Sequence, residues 1–202
     1  MGVVLNETAL REEITRRQKE GAQVVFTNGV FDLLHLGHVR YLREARDLGD
    51  LLIVAVNSDA STRRLKGPSR PIIAEDERAE TLAALAAVDY VTIFADATAE
   101  RLVRLLRPTI YVKGADYAGA DYAGADPATR ERTLMLAPEA LRRVVDGQPT
   151  EQTGLAELAE RLPEARAVAE YGGALALIAY LPGHSTSELI ERIVRSVRQE
   201  PE

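Results

Sequence analysis

Two histidines stand three residues apart in "FDLLHLGH" (residues 31–38), directly after the apolar run and Asn-Gly of "VVFTNGV". Positions i and i+3 share one side of a helical turn, so His35 and His38 would offer two imidazole N–H donors to the same point. If a helix begins there, its free backbone N–H groups and the positive end of its dipole add an anion site. Such a junction suits phosphate chemistry, because N–H donors can hold phosphate oxygens and steady the charge that grows in a transition state. Gly37 would leave room for a ligand to approach the backbone closely. A structural histidine pair is the plainer alternative. Zinc is another, since His35, His38 and His184 all fall at expected strand-to-helix junctions and three histidines can hold that metal. The i, i+3 spacing is not that of the helical zinc motif, and HExxH does not occur, so phosphate is favoured and no protein-held metal is expected.

Two further stretches carry chemistry of the same kind. "STRRLKGPSRP" (61–71) holds four basic residues and no acid; it reads as a loop on the same rim as the histidines. There Lys66, beside Gly67, could reach a phosphate as a flexible point charge. "PGHSTSELIERI" (182–193) has Ser185 three residues before Glu188, the pattern of a capping box, and Ser-Thr-Ser at a helix start is also a phosphate cradle. The chain has neither a P-loop lysine motif nor GxGxxG, which argues against ordinary kinase, GTPase and dinucleotide-binding readings.

These groups need a frame. Residues 8–20 read as a polar helix, "QVVFT" as a strand, and His35–Leu48 as a helix with Val39, Leu42 and Ala45 on one stripe. "LLIVAV" is continuously apolar, as in a strand buried on both faces. "EDERAETLAALAAV", "YVTIF", "AERLVRLLRP" and "TIYV" then alternate helix and strand. The pattern predicts an α/β fold, a Rossmann-like open parallel sheet with helices on both faces. Ligands bind such sheets beyond the carboxyl ends of the strands, where Asn28-Gly29, Asn57-Ser58-Asp59 and Lys113-Gly114 fall. "ADYAGADYAGADP" (115–127) is a tandem repeat that reads as a loop. Residues 128–162 carry helical patches, and order resumes with a helix to Tyr171, a strand "ALALIAY" and a last helix from Ser185.

The 202 residues suffice for one sizeable domain. A formal net charge of −6 argues against broad binding to nucleic acid or an anionic membrane. Cysteine is absent, which removes disulfides and thiolate chemistry. The start turns charged within a few residues, unlike a signal peptide, and no apolar run approaches a membrane span. A cytoplasmic protein is expected.

"TNGVFDLLHLGH" resembles the first signature of the cytidylyltransferase-like nucleotidyltransferases, the superfamily marked by HxGH, and "HSTSELI" resembles its second. "LGDLLIVAVNSDASTRRLKGPSRPI", "RAETLAAL" and "VKGADY" are similar to a narrower group, the bacterial D-glycero-β-D-manno-heptose 1-phosphate adenylyltransferases. The resemblance spans about residues 8–117 and 162–195. It implies ATP with its triphosphate at the HxGH helix start, magnesium bridging the phosphates, and a phosphorylated sugar attacking the α-phosphorus. His35 and His38 would hold the α-phosphate, with Lys66 as the mobile-loop lysine. Asn28, Gly29, Val30 and Phe31 would line the nucleotide pocket, Gly114 and Asp116 the base, and Ser185 and Thr186 the β- and γ-phosphates. Arg78 would meet phosphates, and Asp32, Asn57 and Asp59 would order the loop or sugar.

Two departures stand out. His184 occupies a position where Tyr or Arg is expected. The span between Tyr117 and Tyr171 exceeds the family pattern, so about residues 118–162 read as an atypical insertion in a single domain. In that reading only the first repeat copy, Asp116 and Tyr117, belongs to the site, while Asp121 and Tyr122 are duplicated loop. The insertion would be a lid or subunit contact, removable without loss of the fold. The alternatives are a CTP-dependent enzyme acting on glycerol 3-phosphate or a similar alcohol phosphate, and a non-catalytic nucleotide-binding regulatory module. A homodimer is compatible with any of them.

Overall fold

A computed structural model describes residues 1–118, 133–148, 155, 158–179, 181 and 183–198. Seven strands form one sheet, and along the chain they are β1 (Val3–Val4), β2 (Val24–Gly29), β3 (Leu51–Asn57), β4 (Tyr90–Phe94), β5 (Ile110–Gly114), β6 (Thr133–Leu136) and β7 (Ala174–Ile178). Their order across the sheet is β1-β4-β3-β2-β5-β7-β6. All neighbours run parallel except β6, which pairs antiparallel to β7 with Thr133 opposite Ile178 and Leu136 opposite Leu175. The described helices are α1 (Glu7–Lys19), α2 (Leu36–Arg46), α3 (Asp59–Lys66), α4 (Glu75–Ala83), α5 (Glu100–Leu106), α6 (Pro138–Val145), α7 (Leu158–Arg161), α8 (Pro163–Tyr171) and α9 (Thr186–Arg198).

Strand periodicity sorts the core into two layers, because successive side chains leave opposite faces. Val24, Phe26, Leu51, Ile53 and Ala55 face α1, α5, α6 and α8 through Leu10, Ile14, Leu102, Leu141 and Val168. Val25, Leu52, Val54 and Val56 face α2 and α4 through Leu42, Ala45, Ala79 and Leu82. Both faces are covered, which is why "LLIVAV" is apolar without alternation. From β2 the chain winds outward to β3 and β4, then returns to place β5 on the other side of β2. The carboxyl ends of β2 and β5 therefore border the crevice where such sheets receive ligands.

The structure differs from expectation in three places. The two-residue β1 extends the sheet beyond β4, with Val3 paired to Tyr90. The basic run begins as helix rather than loop. Ser58 caps it by accepting from the Ser61 N–H, Asp59 opens it, Arg63, Arg64 and Lys66 lie in its last turn, and Gly67 closes it at φ 95°. Charges so placed suit the helix dipole.

The third difference concerns the segment read as a removable insertion. Its described parts build the core: Leu136, Leu141, Val144, Leu155, Leu158 and Leu162 are all buried in the layer that holds Leu10 and Phe26. Excising residues 120–160 would remove β6 and α6 and leave the apolar faces of β7 and α8 uncovered. At roughly 2–5 kcal/mol for each buried leucine lost, the fold would not survive. Asp121 and Tyr122 lie outside the described residues.

Candidate active site

The sheet delivers β2 to its carboxyl end at Asn28-Gly29, and the chain reverses through Phe31 at φ 50°. This left-handed conformation is strained for a bulky residue. Packing fixes it there. Phe31 is buried, its ring lies 5.4 Å from the His38 ring, and a methyl on Gly29 would meet it at 3.1 Å. α2 then begins with His35 at the N-cap position, whose side chain makes no capping hydrogen bond and so is left to the site.

His35 and His38 stack with centroids 3.9 Å apart and rings inclined by 31°. The Nδ1 atoms of both rings are buried without a hydrogen-bond partner. Burial lowers the pKa of His38 from 6.5 to about 4, with His35 adding repulsion. Burial also lowers His35, helped by the charges of His184 and Arg192 and opposed by Glu188. Both imidazoles are therefore neutral near pH 7, each with one N–H to donate. An arriving anion would reverse the balance, because opposite charge favours the protonated ring.

Gly37 has a different task from the expected ligand clearance. A methyl there would meet the His184 carbonyl oxygen at 2.8 Å and the His35 ring at 2.9 Å. Its lack of a side chain lets the residues before α9 lie directly on the start of α2. Two helix N-termini thus converge on the histidine pair. At the second, the Ser185 N–H donates to Glu188 Oε2 (2.8 Å) and the Glu188 N–H to Ser185 Oγ (3.1 Å), the reciprocal capping box of the sequence. Hydrogen bonding to its carboxylate from the Ser185 side chain and backbone N–H holds Glu188 below the usual carboxylate range. Ser185 is exposed and Thr186 half-buried beside it.

On the opposite side Arg78 requires a correction. Expected on a ligand phosphate, it is 1% exposed. Its guanidinium donates to the carbonyls of Ile73, Val30 and Asn57 and to Asp59 Oδ1. It is a strut that ties the turn after β2, the end of β3, the start of α3 and the approach to α4. Asn57, also buried, donates to Ser61 Oγ, and the Asp59 backbone N–H donates to Glu75. These side chains brace one another behind the turn that follows β2. Asp32 orders a loop: it is 3% exposed, accepts from the Ile72 and Ile73 N–H groups at 2.7 and 2.9 Å, and pairs with Arg70 at 2.7 Å. Lys66 stands exposed at the end of α3, on the same end of the sheet.

Across the crevice, Asn28 Oδ1 accepts from the Tyr111 hydroxyl at 2.7 Å. Lys113, 7% exposed, brings Nζ to 3.3 Å from the Asn28 carbonyl and 4.7 Å above the Tyr117 ring. Gly114 ends β5, and Asp116 follows in a short 3-10 turn, Ala115–Ala118. Lys113, placed by the strand reading at the ligand end of the sheet but given no role there, and Arg192, which that reading passed over, are site neighbours. A lysine inside the apolar run "IYVKG" was the available signal for the first; Arg192, exposed on α9, gave none. Among the described residues no three His, Asp or Glu side chains gather as a metal site, and no helix is long and apolar enough to cross a membrane.

A cytidylyltransferase-like family model matches residues 26–192. The bifunctional protein HldE of Syntrophotalea carbinolica is 43% identical over 191 residues, covering 95% of this chain and 31% of its own length. HldE of Trichlorobacter lovleyi is 41% identical over 197 residues, covering 98% of this chain and 32% of its own. The chain thus spans about a third of the length of these relatives. Among solved structures, Thermotoga maritima TmcAL bound with alpha-thio ATP superposes with a TM-score of 0.50 at 18% identity, covering 87% of this chain and 51% of that one; the likeness is one of fold.

Proposed function

Because this chain belongs to the cytidylyltransferase-like family, we propose that it transfers the AMP group of ATP to a sugar 1-phosphate, D-glycero-β-D-manno-heptose 1-phosphate. The products are ADP-heptose and pyrophosphate. The observation that carries the reading is the convergence of two helix N-termini on a stacked, neutral histidine pair. That arrangement supplies donors for a triphosphate and no nucleophile of its own. The sugar identity rests on the "NSDASTRRLKG" and "VKGADY" motifs and on the similarity to HldE.

An oxygen of the sugar phosphate, already anionic, attacks the α-phosphorus; the bond to the bridging oxygen breaks and pyrophosphate leaves with that electron pair. No general base is required. His35 and His38 donate N–H to the α-phosphate oxygens and gain strength as charge grows there. Ser185, Thr186 and the start of α9 hold the β- and γ-phosphates, and Lys66 brings a mobile cation to the acceptor phosphate. Asn28, Gly29, Val30 and Phe31 shape the nucleotide wall, with Gly114 and Asp116 toward the base. Asp32, Asn57, Asp59 and Arg78 position this frame. Magnesium suits a site rich in N–H donors only as a passenger on the triphosphate, where it neutralises phosphate charge. The reaction belongs in the cytoplasm, where ATP is abundant.

Pyrophosphate release measured across nucleoside triphosphates and sugar or polyol phosphates tests the reading. ATP with the heptose 1-phosphate should be fastest and require magnesium. Faster turnover of CTP with glycerol 3-phosphate would replace it with the cytidylyl alternative, and ATP binding without turnover on any acceptor would leave a regulatory module.

A further inference from the structure

Among the described residues the buried cationic side chains are Arg78 and Lys113. They end on the two carbonyls that flank Gly29. Arg78 donates to the Val30 carbonyl, and Lys113 Nζ stands 3.3 Å from the Asn28 carbonyl. The register of β2 with β5 runs only to Thr27 opposite Val112, so Lys113 serves the first residue past that pairing. The Asn28 side chain is held as well. Its Oδ1 accepts from the Tyr111 hydroxyl at 2.7 Å and lies 3.4 Å from Lys113 Nζ. Burial, with the charge of Glu164 added, keeps the Tyr111 hydroxyl protonated. Both neighbours are therefore donors, and the oxygen end of the amide must face them.

Between these two cations runs the turn that ends at Phe31, whose φ of 50° persists only where the surroundings over-determine it. The Phe31 ring leaves no room for a methyl on Gly29 and lies 5.4 Å from the His38 ring. A shift of the Asn28 carbonyl therefore passes through Gly29 and Phe31 to His38. We propose that Lys113 is a positioning residue for the adenylyl transfer put forward above, on which this inference rests. With Arg78 it fixes the turn from Asn28 to Phe31, and so the place of His38 beside the α-phosphate. Lys113 itself touches no reacting atom. A buried ammonium is costly to take out of water, and an apolar side chain of similar volume would be about as stable there. Its use at this point is placement.

Lys113→Met keeps the length of the side chain and removes its charge. It should melt no lower than the wild type. In proton NMR spectra of the ligand-free protein, the ring protons of His38 should lose the shift that the Phe31 ring imposes on them. The chain has three histidines, so single substitutions assign these signals. With whichever substrate pair the wild type turns over, kcat should fall about ten- to a hundredfold, by more than the KM for the nucleotide rises.

The absence of cysteine allows a sharper test. Lys113→Cys can be alkylated in denaturant at that one thiol and refolded. Treatment with 2-bromoethylamine restores an ammonium at the length of lysine, whereas 1-iodopropane gives the same length without charge. The first should recover both the His38 shift and the rate, and the second neither. Unchanged His38 signals in Lys113→Met overturn the proposal, as does equal recovery with the two reagents. A raised nucleotide KM at normal kcat would make Lys113 a ligand contact instead. Neutral variants that unfold while the aminoethylated chain folds would assign Lys113 to stability, and overturn it too. The NMR readout uses no ligand. Displaced His38 signals beside a wild type that leaves ATP and the heptose 1-phosphate unreacted would sink the substrate reading alone.

Discussion

On one side of the histidine pair, Arg78, Asp32, Asn57 and Asp59 bind four chain segments together through buried and part-buried hydrogen bonds. On the other, α9 contributes an exposed capped turn and a backbone carbonyl resting on Gly37. The first wall is held by interactions largely withdrawn from water, and the second by exposed ones. A buried polar group left without its partner costs far more than an exposed one. The inner wall is accordingly built for position, and the outer wall leaves room to adjust, as the proposed triphosphate would require.

Arg78→Ala should separate the walls most clearly. Removing one member of a buried ion pair costs about 3–5 kcal/mol, and here three carbonyls and Asp59 lose their donor together. Denaturant unfolding should show that loss. A variant with normal stability and only a raised KM would move Arg78 from frame to ligand contact.

His38→Ala tests the meeting point of the walls. It should lower kcat by about 10²–10³-fold, in line with loss of one transition-state donor, and leave the fold intact. The same variant should alter the response to acid. The unfolded chain takes up this proton near 6.5 and the folded chain only near 4. Stability from His38 is thus full above pH 6.5 and lost as pH falls toward 4. Melting curves across that window should be flatter for His38→Ala than for wild type; identical slopes would mean that the ring is not buried as described.

Ser185→Ala should give the smallest effect, about 1 kcal/mol of helix stability, seen as a modest fall in melting temperature and a higher KM for ATP. A kcat loss as large as that of His38→Ala would show the outer wall to be as fixed as the inner one.

Local signals were legible in the sequence where one short stretch contained both partners of an interaction. The capping box spans four residues, and the stacking of His35 on His38 needs only one turn. The alternation of strands and helices disclosed the doubly covered sheet in the same way. What escaped was long-range. Arg78 reads as an exposed helix arginine until the carbonyls of Val30 and Asn57, distant in sequence, surround it. The buried leucines between residues 136 and 162 are weakly periodic, and only the pairing of β6 with β7 shows them to be core. Gly37 looked like space for a ligand because its true neighbour, His184, lies far along the chain.

The placement of β1 has a consequence for the order in which the molecule assembles. Among the described residues Val3 and Val4 pair with Tyr90 and Val91, and the Gly2 N–H donates to the carbonyl of Ala83. Contacts so distant in sequence must await closure of a long loop, and their entropy is repaid only once the intervening strands are in place. The earliest strand along this chain is therefore among the last to join the sheet. Until β1 pairs with it, the free edge of β4 stays open to other chains.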